Sequence, residues 1–356
     1  MSKISSTGTL RAQVAIRADA SDRIGVGHVM RCASLGFRLM AEGRKVHFIV
    51  AEIDEWLSVW LRKKGFGLSI LPLECVGNSQ LDAYFSSLVL ENLENCSWVV
   101  VDHYGLESKW EKVMRNQNKR ILVIDDVGIH EHSCDVLLST SPQETESKSW
   151  SSQGSDVKLT LMGPSFMILR PEFDSPSLKR FRSGSIERIL VYFGGGDVYN
   201  EIRKVTSAIQ SSTSKNLDVT VVLGRTQIPI GLVDELLFIS PDLKIISNSQ
   251  DMAILISEAD LAIGTCGVSA WERCSLGLPA LTVITADNQV LDAMYLDRLG
   301  AVKNLGVAKE VDTSTWSREI STLLNDRTRV SQMSIACLDS AVAQRDSTKK
   351  LMAVFD

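Results

Sequence analysis

A histidine that follows two closely spaced glycines is the first candidate for chemistry in this sequence. His28 stands behind Gly25 and Gly27 in the segment IRADASDRIGVGHVMR, at 16–31. Glycines let the backbone turn sharply, and a helix that begins here offers unpaired N–H groups to an anion. The positive end of such a helix also disfavours a protonated imidazole. The pattern predicts a neutral general base, with a glycine turn and a helix-capping histidine as the structural alternative.

A second candidate lies where an apolar run ends in the residues VDHY. If this run is a parallel strand, its end delivers Asp102 and Tyr104 into the crevice where open α/β sheets bind ligands. The structural alternative is that Asp102 caps the following helix and that Tyr104 packs. The predicted substrate contacts in this half of the chain are Arg17, Gly27, Arg31, Asp102 and Tyr104.

Two glycine-rich strings in the second half are suited to phosphate binding. The string YFGGGD at 192–197 follows a strand candidate, and we predict that its Gly195 contacts the ligand. The string GTCG at 264–267 stands between a strand candidate and a helix candidate, where two phosphates can be received. The lysine of a Walker A loop and a GxGxxG dinucleotide string are both missing, which disfavours ATP hydrolysis of that type and dinucleotide binding.

The helix candidate after the second string carries an acidic residue suited to a ribose. Glu272 can accept hydrogen bonds from a vicinal diol, although a carboxylate there can also simply complement the helix dipole. Asn288 and Gln289 open a later helix and offer amides that suit sugar hydroxyls. The predicted ligand contacts of this segment are Met252, Gly264, Gly267, Ser269, Glu272, Asn288 and Gln289.

A third kind of site, a metal centre, is suggested only by the string HEHSC. His130, His132 and Cys134 alternate, and such residues can share one face of a strand. No second cluster of ligands at zinc-like spacing accompanies them. We therefore favour a polar connection here and predict neither a metal nor a cofactor.

Composition narrows the class of protein. The chain has 356 residues, 44% of them hydrophobic, and a formal net charge of −5, which argues for two domains and against a broad nucleic-acid surface. No apolar stretch is long enough for a membrane span. The 7 cysteines are scattered behind a start without an export signal. We expect reduced thiols, a cytoplasmic location, a small-molecule partner and a monomer.

Short apolar runs alternate with helical patterns, as in an α/β fold with parallel sheets whose faces are both covered. The strand candidates are 14–17, 46–50, 98–102, 120–125, 135–139, 188–193, 217–223, 243–246, 260–263 and 280–284. The clearest late helix is 287–299, with Asp287 as its cap and Gly300 as its end.

A stretch rich in proline, serine and basic residues divides this alternation into two halves. This stretch, 170–185, is the predicted linker. The expected domains are 1–170 and 186–340, followed by a tail at 341–356. We predict two Rossmann-like α/β domains that face each other across a cleft.

Taken together, these motifs resemble those of the UDP-sugar hydrolases of pseudaminic acid biosynthesis, whose fold is GT-B-like. The resemblance runs from about residue 16 to 301. Its strongest strings are RADASDRIGVGHVMRC, VDHYGL, GPSFMILRPEF, DMAILISEADLAIG, WERCSLGLP and ADNQ. The chain departs from the usual pattern at TCGV, at Ala270 and at YFGGGD.

The resemblance implies release of UDP from UDP-2,4-diacetamido-2,4,6-trideoxy-β-L-altropyranose. It makes His28 the catalytic base and places UDP on the second domain, through residues 264–269 and Glu272. Water would attack the anomeric carbon, and a metal would not be obligatory.

Two alternatives stay open at this point. One is a GT-B glycosyltransferase with an acceptor hydroxyl in place of water, for which the string WLSVWLRKK is a candidate lipid-facing surface. The other is a nucleotide-sugar binding protein without catalysis.

Overall fold

The computed structural model describes most of the chain as two compact α/β units. The described residues are 12–21, 24–128, 130–142, 156–194, 198–212, 217–224, 228–247, 249 and 251–356. Gly195, one of the predicted ligand contacts, lies outside them. The first unit comprises Met1–Pro171 and Ser347–Asp356, and the second comprises Glu172–Asp346.

The first unit is built on a seven-stranded sheet in the order β3-β2-β1-β4-β5-β6-β7, in which every described pairing is parallel. Its strands are β1 (Gln13–Ala18), β2 (Val46–Val50), β3 (Gly67–Ile70), β4 (Cys96–Asp102), β5 (Arg120–Ile124), β6 (Val136–Ser139) and β7 (Leu159–Met162). The described helices among them are α1 (Gly27–Ala41), α2 (Glu55–Lys63), α3 (Ser79–Glu91) and α4 (Ser108–Arg115).

Both faces of this sheet are covered, which explains why its inner strands are continuous apolar runs. Alternate residues of a strand point to opposite faces. Ile16 and Val100 accordingly belong to one buried cluster, whereas Ala15 and Val99 belong to another.

The second unit is built on a six-stranded parallel sheet in the order β10-β9-β8-β11-β12-β13. Its strands are β8 (Arg188–Tyr192), β9 (Asp218–Leu223), β10 (Lys244–Ser247), β11 (Leu261–Thr265), β12 (Ala280–Ile284) and β13 (Val302–Val307). Its helices are α5 (Tyr199–Ser212), α6 (Leu232–Ile239), α7 (Met252–Glu258), α8 (Val268–Ser275), α9 (Val290–Arg298), α10 (Thr313–Asn325) and the start of α11 (Arg327–Ala353).

Each sheet has one point at which the chain order reverses. In the first sheet it lies between β1 and β4, and in the second between β8 and β11. Ligands of open α/β sheets bind at the carboxyl ends of the strands that flank such a point. The strand ends at these two points therefore define where a site is expected in each unit.

The end of the chain belongs to the first unit rather than forming a separate tail. The sequence predicted a separate tail at 341–356, but helix α11 continues to Ala353. Phe355 is 1% exposed, and its ring centroid lies 5.1 Å from that of Trp98. Arg44 donates from Nη2 to the carbonyl of Phe355 at 2.5 Å. Apolar side chains near the end of the chain thus complete the core of the first unit.

The stretch predicted as a linker is mostly part of the second unit, which begins at Glu172. The stretch is held in the second unit by Arg182, whose side chain is 1% exposed. Its guanidinium donates to carbonyls at the ends of α7 and α8, including those of Ile256 at 2.7 Å, Ala259 at 3.2 Å and Leu276. A cation at the negative ends of two helices is stabilising.

Two smaller features concern helices. Asp287 does not cap α9 as the sequence predicted, because a 3₁₀ turn over Asp287–Gln289 precedes that helix. Gly300 follows the helix with φ of 74°, a conformation that favours glycine. Among the described residues, no helix is both long and apolar enough to cross a membrane.

Candidate functional site

His28 and Asp102 form a hydrogen-bonded pair at the carboxyl edge of the first sheet. Asp102 is the last residue of β4, and the distance from its Oδ1 to Nδ1 of His28 is 2.6 Å. The carboxylate is fully buried and the histidine side chain is 15% exposed. Since an ionised carboxylate only accepts hydrogen bonds, Nδ1 carries the proton and Nε2 is left as the acceptor. Asp102 is not the cap of the next helix, which begins after Glu107.

Arg31, one turn further along α1, fixes the same carboxylate. Its Nε donates to Oδ2 of Asp102 at 2.9 Å, and its Nη2 donates to Oδ1 at 2.7 Å. Burial by itself would raise the pKa of Asp102, but Arg31 and His28 outweigh it and hold that pKa well below its ordinary value. Asp102 therefore stays ionised and keeps the orientation of the His28 ring.

Tyr104 lies beside the pair and faces solvent. Its ring meets that of His28 edge-on, with centroids 4.9 Å apart and an interplanar angle of 83°. Tyr104 is 42% exposed, so it is not simply packed. Burial of its hydroxyl, helped by nearby carboxylates and opposed by Arg31, raises the pKa of Tyr104 to about 12. The phenol stays protonated at neutral pH and can donate to a ligand.

Asp126 is a member of this cluster that the sequence reasoning did not single out. Its Oδ2 forms a short ion pair with Nη1 of Arg31. Its Oδ1 accepts from the backbone N–H of Thr140 at 2.6 Å and from the Thr140 hydroxyl at 3.0 Å. Asp126 follows β5, the neighbour of β4 in the sheet, and this strand-end position was the available signal.

Arg17, which the sequence predicts to contact the substrate, lines the cavity of the first unit and is held by two buried carboxylates. It is 1% exposed and lies between Asp19 and Asp82. Its Nη1 donates to Asp19 at 2.5 Å, and its Nη2 donates to Asp82 at 2.5 Å. Asp82 also accepts from the indole N–H of Trp110 at 2.7 Å. The guanidinium is thus occupied by two carboxylates and holds the end of β1 against α3.

A cavity of about 370 Å³ opens beside these residues within the first unit. Its lining includes Asp19, His28, Asn78, His103 and Tyr104. His103 accepts the N–H of Gly105 at Nδ1, at 3.0 Å, and so presents its Nε2 proton to Asp19 at 3.2 Å. The volume is within the range of small-ligand pockets. Gly27, at the start of α1, is exposed and a Cβ there would meet nothing within 4 Å, so its backbone is open to a ligand.

In the second unit, the glycine turn after β11 leads into α8. Gly267 is the residue before that helix, and it is partly exposed. A Cβ on Gly267 would meet only the Gln289 side chain, with its amide nitrogen at 3.8 Å. Gln289 accepts from the backbone N–H of Thr285 at 3.0 Å through its side-chain oxygen. The structure therefore brings the Gln289 amide nitrogen beside the helix N-terminus, as an anion or sugar site requires.

Gly264 is packed closely against a neighbouring strand. It is buried within β11, and a Cβ there would lie 1.9 Å from the carbonyl oxygen of Tyr192 in β8. Close contact between the two strands therefore requires glycine at this position. The ligand contact at Gly264 stays a prediction.

The other predicted contacts of the second unit also follow carboxyl ends of its strands. Glu272, 7% exposed, lies on the second turn of α8, and partly exposed Ser269 lies on the first. Met252 begins α7 and lines a narrow crevice with Ser269 and Tyr192. Asn288 is exposed after β12. These positions place potential donors and acceptors around the start of α8.

The histidines suggested as metal ligands contact separate carboxylates. His132 lies between Glu111 at 2.7 Å and Asp125 at 3.2 Å. His130 contacts Glu107 at 3.1 Å, and Cys134 is buried. Within the described ranges, no group of three His, Cys, Asp or Glu residues is arranged to hold a metal ion.

Comparison with known sequences gives distant relatives. No protein-family profile matches the chain. An uncharacterised protein of Methanocaldococcus jannaschii is 26% identical over 300 residues, which are 81% of this chain and 58% of that protein. The spore coat polysaccharide biosynthesis protein SpsG of Bacillus subtilis is 29% identical over 164 residues, 46% of this chain and 48% of that protein. The chain spans about half the length of these curated relatives.

Solved structures share the fold over almost the whole chain. MurG of Acinetobacter baumannii superposes with a TM-score of 0.66 at 14% identity, covering 95% of this chain and 98% of that one. The protein LpCGTa, solved in complex with UDP, gives a TM-score of 0.69 at 14% identity, with coverage of 97% and 99%. The prediction of two Rossmann-like α/β domains of the GT-B type is confirmed.

Proposed function

We propose that the protein is a UDP-sugar hydrolase in which His28 activates a water molecule. The observation that carries this proposal is the Nδ1 hydrogen bond from His28 to buried, ionised Asp102, at 2.6 Å. This bond orients the ring so that Nε2 is the nitrogen available to accept a proton from water. The same relation between a histidine and a carboxylate orients the base in many hydrolases.

In the proposed reaction, water attacks the anomeric carbon of the sugar. One water proton passes to Nε2 of His28, and the water oxygen forms the new bond to carbon. The bond between that carbon and the terminal phosphate oxygen of UDP breaks, and UDP leaves with the electron pair. Because UDP is a stable anion, its departure does not require a metal.

The second unit supplies the nucleotide part of the proposal. The N-terminus of α8 behind Gly267 presents N–H groups and a positive partial charge to the diphosphate. Glu272 accepts hydrogen bonds from the ribose hydroxyls, and the amides of Asn288 and Gln289 bind sugar oxygens. LpCGTa, which shares the fold, is a structure with UDP bound, and this supports the choice of nucleotide.

As the specific substrate we propose UDP-2,4-diacetamido-2,4,6-trideoxy-β-L-altropyranose. The support is the resemblance of the motifs around His28, Asp102 and Glu272 to those of the hydrolases that act on this compound. The name of SpsG, a polysaccharide biosynthesis protein, points to the same general area of metabolism.

The proposal is tested by incubating the protein with a panel of UDP-sugars and following the products by proton and phosphorus NMR. We expect free UDP and a free reducing sugar from the altropyranose, with turnover that survives EDTA. Binding without any turnover across the panel would instead indicate a nucleotide-sugar binding protein.

A glycosyltransferase is the second candidate, and the surface of α2 favours it. Trp56 and Val59 are 39% and 42% exposed, and the helix ends next to Arg62, Lys63 and Lys64. An apolar and basic surface of this kind suits a lipid-linked acceptor. UDP release that requires an added lipid-linked or sugar acceptor would favour the transferase, whereas release in buffer alone favours the hydrolase.

A further inference from the structure

An arginine without a carboxylate partner is buried in the helix that begins at the glycine turn. Arg273, on α8, is 2% exposed. Its one hydrogen bond among the described residues runs from Nη2 to the carbonyl of Thr265, and its Nε has no partner there. No described carboxylate forms an ion pair with it, and adjacent Glu272 acts on it only through space.

The guanidinium lies under the turn rather than beside the body of the helix. Side chains of a helix tilt towards its N-terminus, and Arg273 reaches back to Thr265, which precedes the helix. Its Nη1 would be 3.2 Å from a Cβ on Gly264, so the charge also lies against the end of β11. The fold therefore places a positive charge beside the backbone of Gly264 and Thr265, where β11 leads into the turn.

Holding this charge in the interior is costly for the folded state. A buried cation without a partner loses its hydration and recovers little from one neutral carbonyl. Burial accordingly lowers the pKa of Arg273. Arg182, the other buried arginine among the described residues of this unit, differs because its guanidinium donates to five carbonyls, those of Arg180, Ile256, Ser257, Ala259 and Leu276. These carbonyl contacts explain why Arg182 can be buried. The contacts of Arg273 leave its Nε without an acceptor among the described residues.

We propose that Arg273 is a positioning residue for the diphosphate, whose charge it stabilises from below the turn at the start of α8. By holding the Thr265 carbonyl inward, it also orients the backbone of the turn so that the N–H groups of the helix face the anion. In the reaction this positive charge favours departure of UDP, because negative charge builds on the diphosphate as the glycosidic bond breaks. The inference rests on the proposed function for the identity of the anion.

The test measures anion affinity and stability in the same variants. Calorimetry with inorganic pyrophosphate and with UDP is carried out on the full-length protein, on Arg273→Met and on Arg273→Lys, and thermal unfolding is recorded without ligand. We expect Arg273→Met to bind both anions about tenfold or more weakly, the scale of a lost charged interaction. We expect its unliganded melting temperature to be equal to or above that of the wild type, since an unpaired buried charge has been removed.

Arg182→Met is the matched control, because it removes a buried arginine of the same unit that has its carbonyl partners. It should lower the melting temperature and leave pyrophosphate affinity unchanged in the folded protein. A merely structural Arg273 would behave in the same way, and that result would overturn the inference. If Arg273→Met loses both stability and affinity, the Arg273→Lys variant distinguishes the two explanations. Recovered anion affinity in Arg273→Lys would support a role for the positive charge, whereas continued loss of affinity would overturn the inference.

The two anions separate this inference from the function on which it rests. If the wild-type protein binds pyrophosphate through Arg273 but does not bind UDP, the proposed function is wrong and the inference about Arg273 stands. If the wild-type protein and Arg273→Met bind UDP equally well, the inference about Arg273 is wrong and the proposed function stands. Absence of pyrophosphate binding in the wild type would overturn the inference directly.

Discussion

The imidazole of His28 has one nitrogen committed to Asp102, and this determines what its removal should do. His28→Ala should lower kcat by about 10²–10⁴-fold, because a base acts in the transition state, and should leave UDP affinity nearly unchanged. Single-turnover kinetics measure the catalytic rate, and calorimetry with UDP measures the affinity. His130→Ala, which removes a histidine paired only with Glu107, is the control. A variant that is destabilised yet fully active would show that His28 merely supports the helix.

Asp126 acts on the same pair through Arg31, and a second prediction follows from its contacts. Asp126→Asn keeps an oxygen for the backbone N–H of Thr140 but removes the charge that holds Nη1 of Arg31. We expect kcat to fall by about 10–100-fold through misplacement of the Asp102–His28 pair, with a smaller change in KM. Steady-state kinetics measure both. Equal wild-type and variant kcat values would show that Asp102 alone keeps Arg31 in place.

At the residue scale, the sequence predicted those positions that lie at strand ends and helix starts. His28, Asp102 and Arg31 are brought together because β1 and β4 are neighbours; the sequence singled out each residue but not the hydrogen bonds among them. The pairing of Arg17 with Asp82 was not predicted, because the two residues are distant in sequence and nothing local reveals it. Long-range ion pairs of this kind become visible only once the strands and helices have been placed.

Elements on one side of the first sheet are tied together by a buried histidine, and their stability should depend on pH. His132 joins Glu111 of α4 to Asp125 after β5. Burial by itself would lower the pKa of His132, but the hydrogen bonds to Asp125 and Glu111 outweigh it and raise that pKa from 6.5 to about 9. A raised pKa in the folded state contributes stability that is fully present below pH 6.5 and is lost as the pH rises through about 9.

The third prediction compares wild type with His132→Gln over this range. The wild type should lose about 1–3 kcal/mol of unfolding free energy relative to the variant between pH 6 and pH 9.5. Urea unfolding at several pH values measures the difference, in which the other titrating groups cancel. Parallel pH profiles for the two proteins would show that His132 is neutral in the folded state.

At the element scale, the sequence predicted the inner strands better than the edges of the sheets. The three strands that it missed, β3, β7 and β13, all lie at a sheet edge. An edge strand is covered on fewer sides, so its residues need not form a continuous apolar run. Ile70 of β3 is 55% exposed, Leu159 of β7 is 44% exposed, and β13 contains polar Lys303 and Asn304.

At the scale of the whole molecule, the alternation of strands and helices was enough to predict two parallel-sheet domains. It did not reveal that residues 347–356 return to the first unit. That association depends on contacts such as Phe355 with Trp98, which lie far apart in sequence and carry no periodic signal. Apolar residues at a chain end are compatible with either unit until the sheets have been assembled.

Because residues 347–356 belong to the first unit, the stability of that unit should depend on the last residues of the chain. Phe355→Ala should destabilise the first unit by about 3–5 kcal/mol, because it removes a buried aromatic ring next to Trp98. Hydrogen-exchange mass spectrometry should show faster exchange in peptides from β1 and β4. Val342→Ala, at a position 56% exposed on α11, the helix that leads to Phe355, is the control and should change little. Since the core of the second unit does not include Phe355, peptides from β8 and β11 should exchange as in the wild type. Equal acceleration in both units would mean that the chain unfolds as a single cooperative body and that the local packing argument does not hold.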